Sequence, residues 1–350
     1  MMMHQSPLRA FGRALAAPVL GAFLLVTQDA KANNSIEYLY KGRTVSMVVG
    51  FNTGGAYDLY ARVVARHISK HLPGKPSFVV KNMQGAGSVI AANFLYNRSP
   101  RDGSEIGLIA GTAALEPLFG GTATQFDGQK FSWLGSANEE VGACFTWHTS
   151  KTNTAQQLMR NPVIIGSAGT SSLLVPSTLN SVLGANLRIV KGYKGTSDML
   201  LALERGEVEG MCGMLYAAVQ AERPDWLDKK LVNVLMQVSV KRNPKLGDAP
   251  SIMDFATSDD QRNLLRLLIG WTIMGRPFLA PPGIPADRAE ALRAAFVATM
   301  NDEDFLQDAA RNRLDVSPIT AAQIERFLAE SYATPRNVVE RAAKIMKDTN

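Results

Sequence analysis

Four stretches of this chain hold residues whose types and spacing could do chemistry. The first is Thr53-Gly54-Gly55-Ala56-Tyr57-Asp58, which follows the apolar run Val45 to Val49 and opens an amphipathic segment. A glycine turn between a buried strand and a helix start presents main-chain N–H groups without intrahelical partners, and the helix dipole favours an anion there. That is a site for a small anion, although Asp58 could equally cap the turn. A carboxylate beside an anion would repel it, so Asp58 is expected to bind backbone amides or water rather than a ligand charge.

The second stretch, Gly85-Ala86-Gly87, lacks the third glycine of a dinucleotide fingerprint, and no G-x-x-x-x-G-K-[ST] occurs, which argues against nucleotide binding. The third, Ser167-Ala168-Gly169-Thr170-Ser171-Ser172, offers hydroxyl donors for a carboxylate or a helix N-cap. A nucleophilic serine is disfavoured because Ile165 stands where G-x-S-x-G demands glycine. The fourth is the pair His67 and His71, four apart on a predicted helix. No H-E-x-x-H accompanies them, so a solvent-facing pair is expected, and no metal or cofactor. His148 reads as a surface loop residue at a strand end. Arg62 and Arg66 could clamp a carboxylate bidentately or merely solvate a helix face. Tyr57 and Tyr60 could stack on a ring. Cys144 and Cys212 fall on predicted strands, and whether they pair is open at this level.

Strand and helix alternate to position these groups. Expected are a strand at 44–49, a helix at 57–71, a strand at 77–81, a helix at 89–97 and a strand at 105–110. The rhythm restarts after Trp133, with strands at 143–147, 163–166, 187–191, 208–211 and 232–238 and helices between them. The tail from Asp259 is mainly helical. Alternation of this kind argues for two α/β units with mostly parallel sheets, and ligands of such sheets bind at the carboxyl ends of the strands.

Of the 350 residues, the first 32 read as an export leader. Arg9 and Arg13 precede the apolar run Ala14 to Val26, and Ala30-Lys31-Ala32 gives an A-x-A cleavage signal before Asn33. The apolar run is shorter than the roughly 20 residues of a membrane span. Removing Arg9, Arg13, Lys31 and Asp29 leaves 34 basic and 30 acidic residues, a net charge of +4. That is too mild for nucleic acid and suits an anionic small molecule.

Six blocks, in order, resemble the Bug-type receptors, the substrate-binding proteins of tripartite tricarboxylate transporters. Gly50-Phe51-Asn52-Thr53-Gly54-Gly55, with Asp58 and Ala61-Arg62, resembles their F-P-P-G-G-x-x-D-x-x-A-R signature. Asn82-Met83-Gln84-Gly85-Ala86-Gly87 is similar to N-R-P-G-A-G-G, and Pro100-Arg101-Asp102-Gly103-Ser104-Glu105-Ile106 to P-D-G-Y-T-L. Gly166-Ser167-Ala168-Gly169-Thr170-Ser171 resembles the second-lobe S-x-G-x-G-S loop, Gly192-Tyr193-Lys194-Gly195 the V-P-Y-K-G turn, and Ala280-Pro281-Pro282-Gly283-Ile284-Pro285 the A-P-A-G-T-P connection.

The resemblance implies a type II periplasmic binding protein, two α/β lobes with mixed, mostly parallel sheets and a central ligand cleft. Lobe 1 would comprise residues 33–135 and the helical segment 251–350, and lobe 2 residues 136–250. The implied ligand is a small organic carboxylate, a di- or tricarboxylate or an aromatic acid. It would be held by Thr53, Gly54, Gly55 and Asp58 on one side and Ser167, Gly169, Thr170 and Ser171 on the other, with Gly85, Ala86 and Tyr193 at the rim. Its partners would be the large and small permease subunits of the transporter, with the receptor itself a periplasmic monomer and not an enzyme. Asn52 and Thr53 replace two family prolines, Ser88 a glycine and Ser171 the second glycine of its loop, which moves expectation away from a plain citrate-like ligand. A sensory subunit presenting ligand to a membrane kinase is the alternative. A hydrolase using Ser167 with His148 is a more distant one.

Overall fold

The computed structural model describes residues 36–167, 170–193 and 196–347, built as two sheets with helices packed on them. The first sheet grows from β1 (Thr44–Val49), β2 (Ser77–Asn82) and β3 (Glu105–Leu108), all parallel. Helix α1 (Ala56–Ile68) joins β1 to β2, and α2 (Val89–Asn97) joins β2 to β3. β1 reads Thr-Val-Ser-Met-Val-Val and is almost wholly buried, as a strand covered on both faces should be. On α1, Tyr60, Ala61, Val63, Val64 and Ile68 face inward, while Ala65 is half-buried.

Two further strands complete this sheet from distant sequence. β4 (Ser132–Ser136) and β10 (Pro277–Ala280) pair antiparallel to each other, β10 also pairs antiparallel to β3, and the short β11 (Ile319–Thr320) pairs with β4. The order is therefore β11-β4-β10-β3-β1-β2. Helices α9 (Ala286–Met300), α10 (Glu303–Arg311) and α11 (Ala321–Tyr332) pack against this lobe.

The second sheet has the order β7-β6-β8-β5-β9. Here β6 (Val163–Gly166), β7 (Leu187–Val190) and β8 (Gly210–Leu215) are parallel, β5 (Gly142–Trp147) pairs antiparallel to β8, and β9 (Val232–Val238) pairs antiparallel to β5. Cys144 and Cys212 lie on the neighbouring strands β5 and β8 with Cα atoms 4.0 Å apart, and they are bonded. Both are fully buried, so the bridge fastens two strands inside the core of this lobe.

Residues 251–350 divide between the lobes, whereas the sequence expectation assigned them all to the first. Leu264, Leu265, Leu267 and Leu268 of α8 (Asp259–Ile269) and Val338, Val339 and Ala342 of α12 (Arg336–Lys347) share a core with Cys144, Ile165 and Cys212. Apolar periodicity declares that a helix has an inner face, but not which sheet that face meets.

His67 and His71, expected to face solvent, instead help dock α10 on α1. His67 Nε2 lies 3.0 Å and the Arg66 guanidinium 2.8 Å from Asp308, while His71 Nε2 and Lys70 Nζ each lie 2.8 Å from Asp302. Asp302 also caps α10 by accepting from the Phe305 amide. Hydrogen bonds from His67 and Arg66 hold the Asp308 carboxyl at about 2, below its ordinary 3.8. A depressed folded pKa stabilises the fold above the unfolded value and is lost as pH falls through the folded one. The melting temperature should therefore fall as pH drops from about 4 to about 2, and Asp308→Asn should flatten that segment of the profile; scanning calorimetry across this range checks it.

Candidate functional site

The turn after β1 is organised by one carboxylate. Asp58, 2 % exposed, accepts from the Gly54 amide at 2.8 Å and from Arg62 Nε at 2.9 Å through Oδ2, and from Asn82 Nδ2 at 2.9 Å through Oδ1. Burial works against its charge, and the bonds from Arg62, the Gly54 amide and Asn82 overcome that, holding the carboxyl at about 2. Asn82, at the end of β2, also donates to Phe51 O and accepts from Thr53 Oγ1 at 3.1 Å. The expectation that Asp58 would bind backbone matches what is seen. Arg62 is engaged by Asp58 and Asn82 and Arg66 by Asp308, so neither is poised as a ligand clamp.

Each glycine of the turn has its own task. Gly54 sits at φ +84°, in the left-handed region. Gly55 is the N-cap of α1 with φ −80° and makes no side-chain cap hydrogen bond. Gly50 lies against the second loop, where an added Cβ would sit 2.4 Å from Ser88 Oγ.

That second loop is left-handed throughout, with φ +135° at Gly85, +45° at Ala86, +59° at Gly87 and +78° at Ser88. Ala86 and Ser88 adopt it at a cost of about 1–2 kcal/mol each. The Ser88 hydroxyl donates to Gly50 O at 3.2 Å and accepts from the Ala110 amide at 3.1 Å, joining the ends of β1 and β3 to the start of α2. This buried pair of bonds gives a physical reason for a serine where the resembling family has glycine.

In the second lobe, Ser167 follows β6 and is 3 % exposed. Its amide donates to Val190 O at 2.9 Å and its hydroxyl lies 3.4 Å from that of Ser172. Thr170 and Ser171 open α4 (Thr170–Leu183), and Tyr193, half-buried, follows β7 beside Gly166. Gly169 lies outside the described residues.

Strand direction relates the sheet edges that carry the two groups to the crossover at 137–141. β4 runs parallel to β3, so its end leads residues 137–141 away from the edge that carries the Gly54 and Gly85 loops. β5 runs antiparallel to β6, so it begins at the edge that carries Ser167. The same register sends His148, exposed at the far end of β5, to the opposite edge from Ser167, which removes the serine–histidine pairing of the hydrolase reading.

Both tyrosines are already occupied. Tyr57 stacks on Phe51 with centroids 3.9 Å apart, and the Arg276 guanidinium lies 4.3 Å from its ring centre and 5.1 Å from that of Tyr60. The Tyr60 hydroxyl donates to Asp315 O at 2.8 Å. Neither ring is free to stack on a ligand, contrary to the sequence expectation. Arg276 and its ion-pair partner Glu140, at 2.6 Å, were not among the residues singled out in the sequence. The available signal was a lone arginine inside the apolar run Trp271 to Ala280. Among the described residues no group of three or more His, Cys, Asp or Glu could hold a metal.

Two α/β lobes with glycine and hydroxyl loops at the strand ends flanking a crossover define the two-lobed fold of periplasmic binding proteins. The family model described as the tripartite tricarboxylate transporter family receptor matches residues 60–343, and the chain belongs to that family of periplasmic solute-binding receptors, which are not enzymes. A UPF0065 protein from the gbd 5' region of Cupriavidus necator is 23 % identical over 344 residues, covering 94 % of this chain and 95 % of the relative. A TctC solute-binding protein from Polaromonas, solved without ligand, matches the structure with a TM-score of 0.68 at 18 % identity, covering 86 % of this chain and 99 % of that one. MatC from Rhodopseudomonas palustris, solved with bound malate, gives 0.55 at 19 % identity over 87 % and 99 %.

The two glycines can be told apart by stability. Gly54→Ala is expected to cost about 1–2 kcal/mol, the left-handed penalty of a Cβ. Gly55→Ala, whose Cβ would meet only Asn52 O at 3.6 Å, should be close to neutral in urea unfolding.

Proposed function

We propose that this chain is the extracytoplasmic receptor that captures a small organic carboxylate by lobe closure and hands it to the large and small permease subunits of a tripartite transporter. The observation that supports the reading is the start of α1 at Gly55, without a side-chain cap, at the same sheet edge as the left-handed Gly85 loop. In this reading Thr53, Gly54, Gly55, Gly85 and Ala86 supply one wall and Ser167, Gly169, Thr170, Ser171 and Tyr193 the other, with Asp58 shaping the first wall from behind. Because Arg62 is engaged by Asp58 and Asn82, recognition in the first lobe rests on N–H and hydroxyl donors. Such donors suit one or two carboxylates better than the dense charge of citrate. Malate bound to MatC is of that class.

The leader at 1–32 would be removed after Ala32 on export, leaving a soluble monomer. A ligand-presenting subunit for a membrane kinase would use the same site and differs only in its partner.

A thermal-shift screen over malate, adipate, benzoate and citrate, with glucose and lysine as controls, tests the ligand class. A carboxylate at about 100 times its Kd should stabilise the protein by about 2.7 kcal/mol, without any product being formed. Gly55→Val should abolish the shift while leaving the unliganded melting temperature within a degree or two of wild type. Stabilisation by glucose or lysine alone would overturn the reading.

A further inference from the structure

Residues 137–141 and 270–276 carry the chain between the lobes as an antiparallel ribbon. The Ala137 amide donates to Arg276 O at 3.0 Å, the Glu140 amide to Thr272 O at 2.8 Å, and the Gly275 amide to Asn138 O at 3.2 Å. The Arg276 amide donates to Ser136 Oγ at 2.9 Å. At Gly275 the two chains approach so closely that a Cβ would lie 2.6 Å from both Asn138 Oδ1 and Glu140 Cγ.

The Arg276 side chain, only 8 % of the residue being exposed, turns from this ribbon into the first lobe. Its Nη1 pairs with Glu140 and donates to Gly275 O at 2.7 Å, so the charge is held within the crossover. Its plane meets Tyr57 and Tyr60, which lie on the first turns of the helix whose start is the proposed anion site. Phe51, from the turn itself, covers the face of Tyr57 that the guanidinium leaves. A second link runs through Tyr60 to Asp315, whose carboxylate pairs with Lys245 of the second lobe. Two of the buried polar atoms without a partner, Arg276 Nε and Asn138 Oδ1, are both in this ribbon.

We propose that Arg276 is a positioning residue for ligand capture: held by Glu140 in the crossover and stacked on Tyr57 and Tyr60, it couples the geometry of the Gly54-Gly55 turn to the relative placement of the lobes. The inference rests on the receptor reading above. Closure then reaches the turn through a rigid planar cation, and a turn filled by ligand favours the lobe placement that suits the guanidinium. Lysine keeps the charge but loses the flat guanidinium face over the two rings.

The test compares the full-length exported protein with Arg276→Lys by hydrogen exchange, without ligand, and by binding of malate and adipate. Exchange in the segment 50–62 should quicken by roughly tenfold, and the Kd of a bound probe rise by about as much, while β6 and β8 keep their wild-type protection. An unchanged 50–62 segment, or equal quickening in both lobes, would overturn the proposal, the latter because it marks a residue that only stabilises the fold. If Arg276→Lys does not fold, Glu140→Gln is read in the same way. Failure of malate and adipate to bind wild type would count against the ligand class alone, and the exchange result would still decide the role of Arg276.

Discussion

A single buried carboxylate sets the shape of the first-lobe site. Asp58 accepts from the Gly54 amide, from Arg62 and from Asn82, so one side chain joins the glycine turn, the first helix and the end of the second strand. Ionised and surrounded by donors, it costs less to keep than to protonate, and its neighbours cannot move without leaving it unpaired. The left-handed conformation at Gly54 and the helix start at Gly55 follow from that arrangement. So does the neutral character of the turn, because the arginine that could have met an anion is committed elsewhere.

Around this fixed turn the molecule concentrates its irregular backbone and buried polarity in two places. One is the left-handed run from Gly85 to Ser88, where two non-glycine residues are held at positive φ by the bonds of the Ser88 hydroxyl. The other is the ribbon between the lobes, with Ser136, Asn138, Glu140, Thr272 and Arg276 all nearly inaccessible. A receptor that closes needs loops that keep their shape and a junction that can change it. Polar side chains in the junction supply directional contacts that an apolar core would not.

The parallel units were legible because their signals are local. Val45 to Val49 followed by two glycines and an amphipathic stretch can form little else, and α2 and β6 fall where residue pattern places them. The strands that were not foreseen, β4, β10 and β11, are those whose pairing partners lie far away in sequence. Pro277 to Ala280 reads as a connection until Leu108 and Gly135 are known to flank it. The same limit applied to side chains: His67 and His71 look solvent-facing until α10 arrives with Asp308 and Asp302.

The sequence by itself determined that two α/β units exist, that each ends a strand in a glycine or hydroxyl loop, and that the chain resembles a receptor family. Those properties depend on propensity, periodicity and short motifs, which act over a few residues. Only the tertiary structure decided that α8 and α12 serve the second lobe, that Cys144 meets Cys212, and that Tyr57 and Tyr60 are covered by an arginine more than two hundred residues away. Each of these is a pairing between distant segments, and burial fixes such pairings through packing and electrostatics that no single stretch of sequence contains.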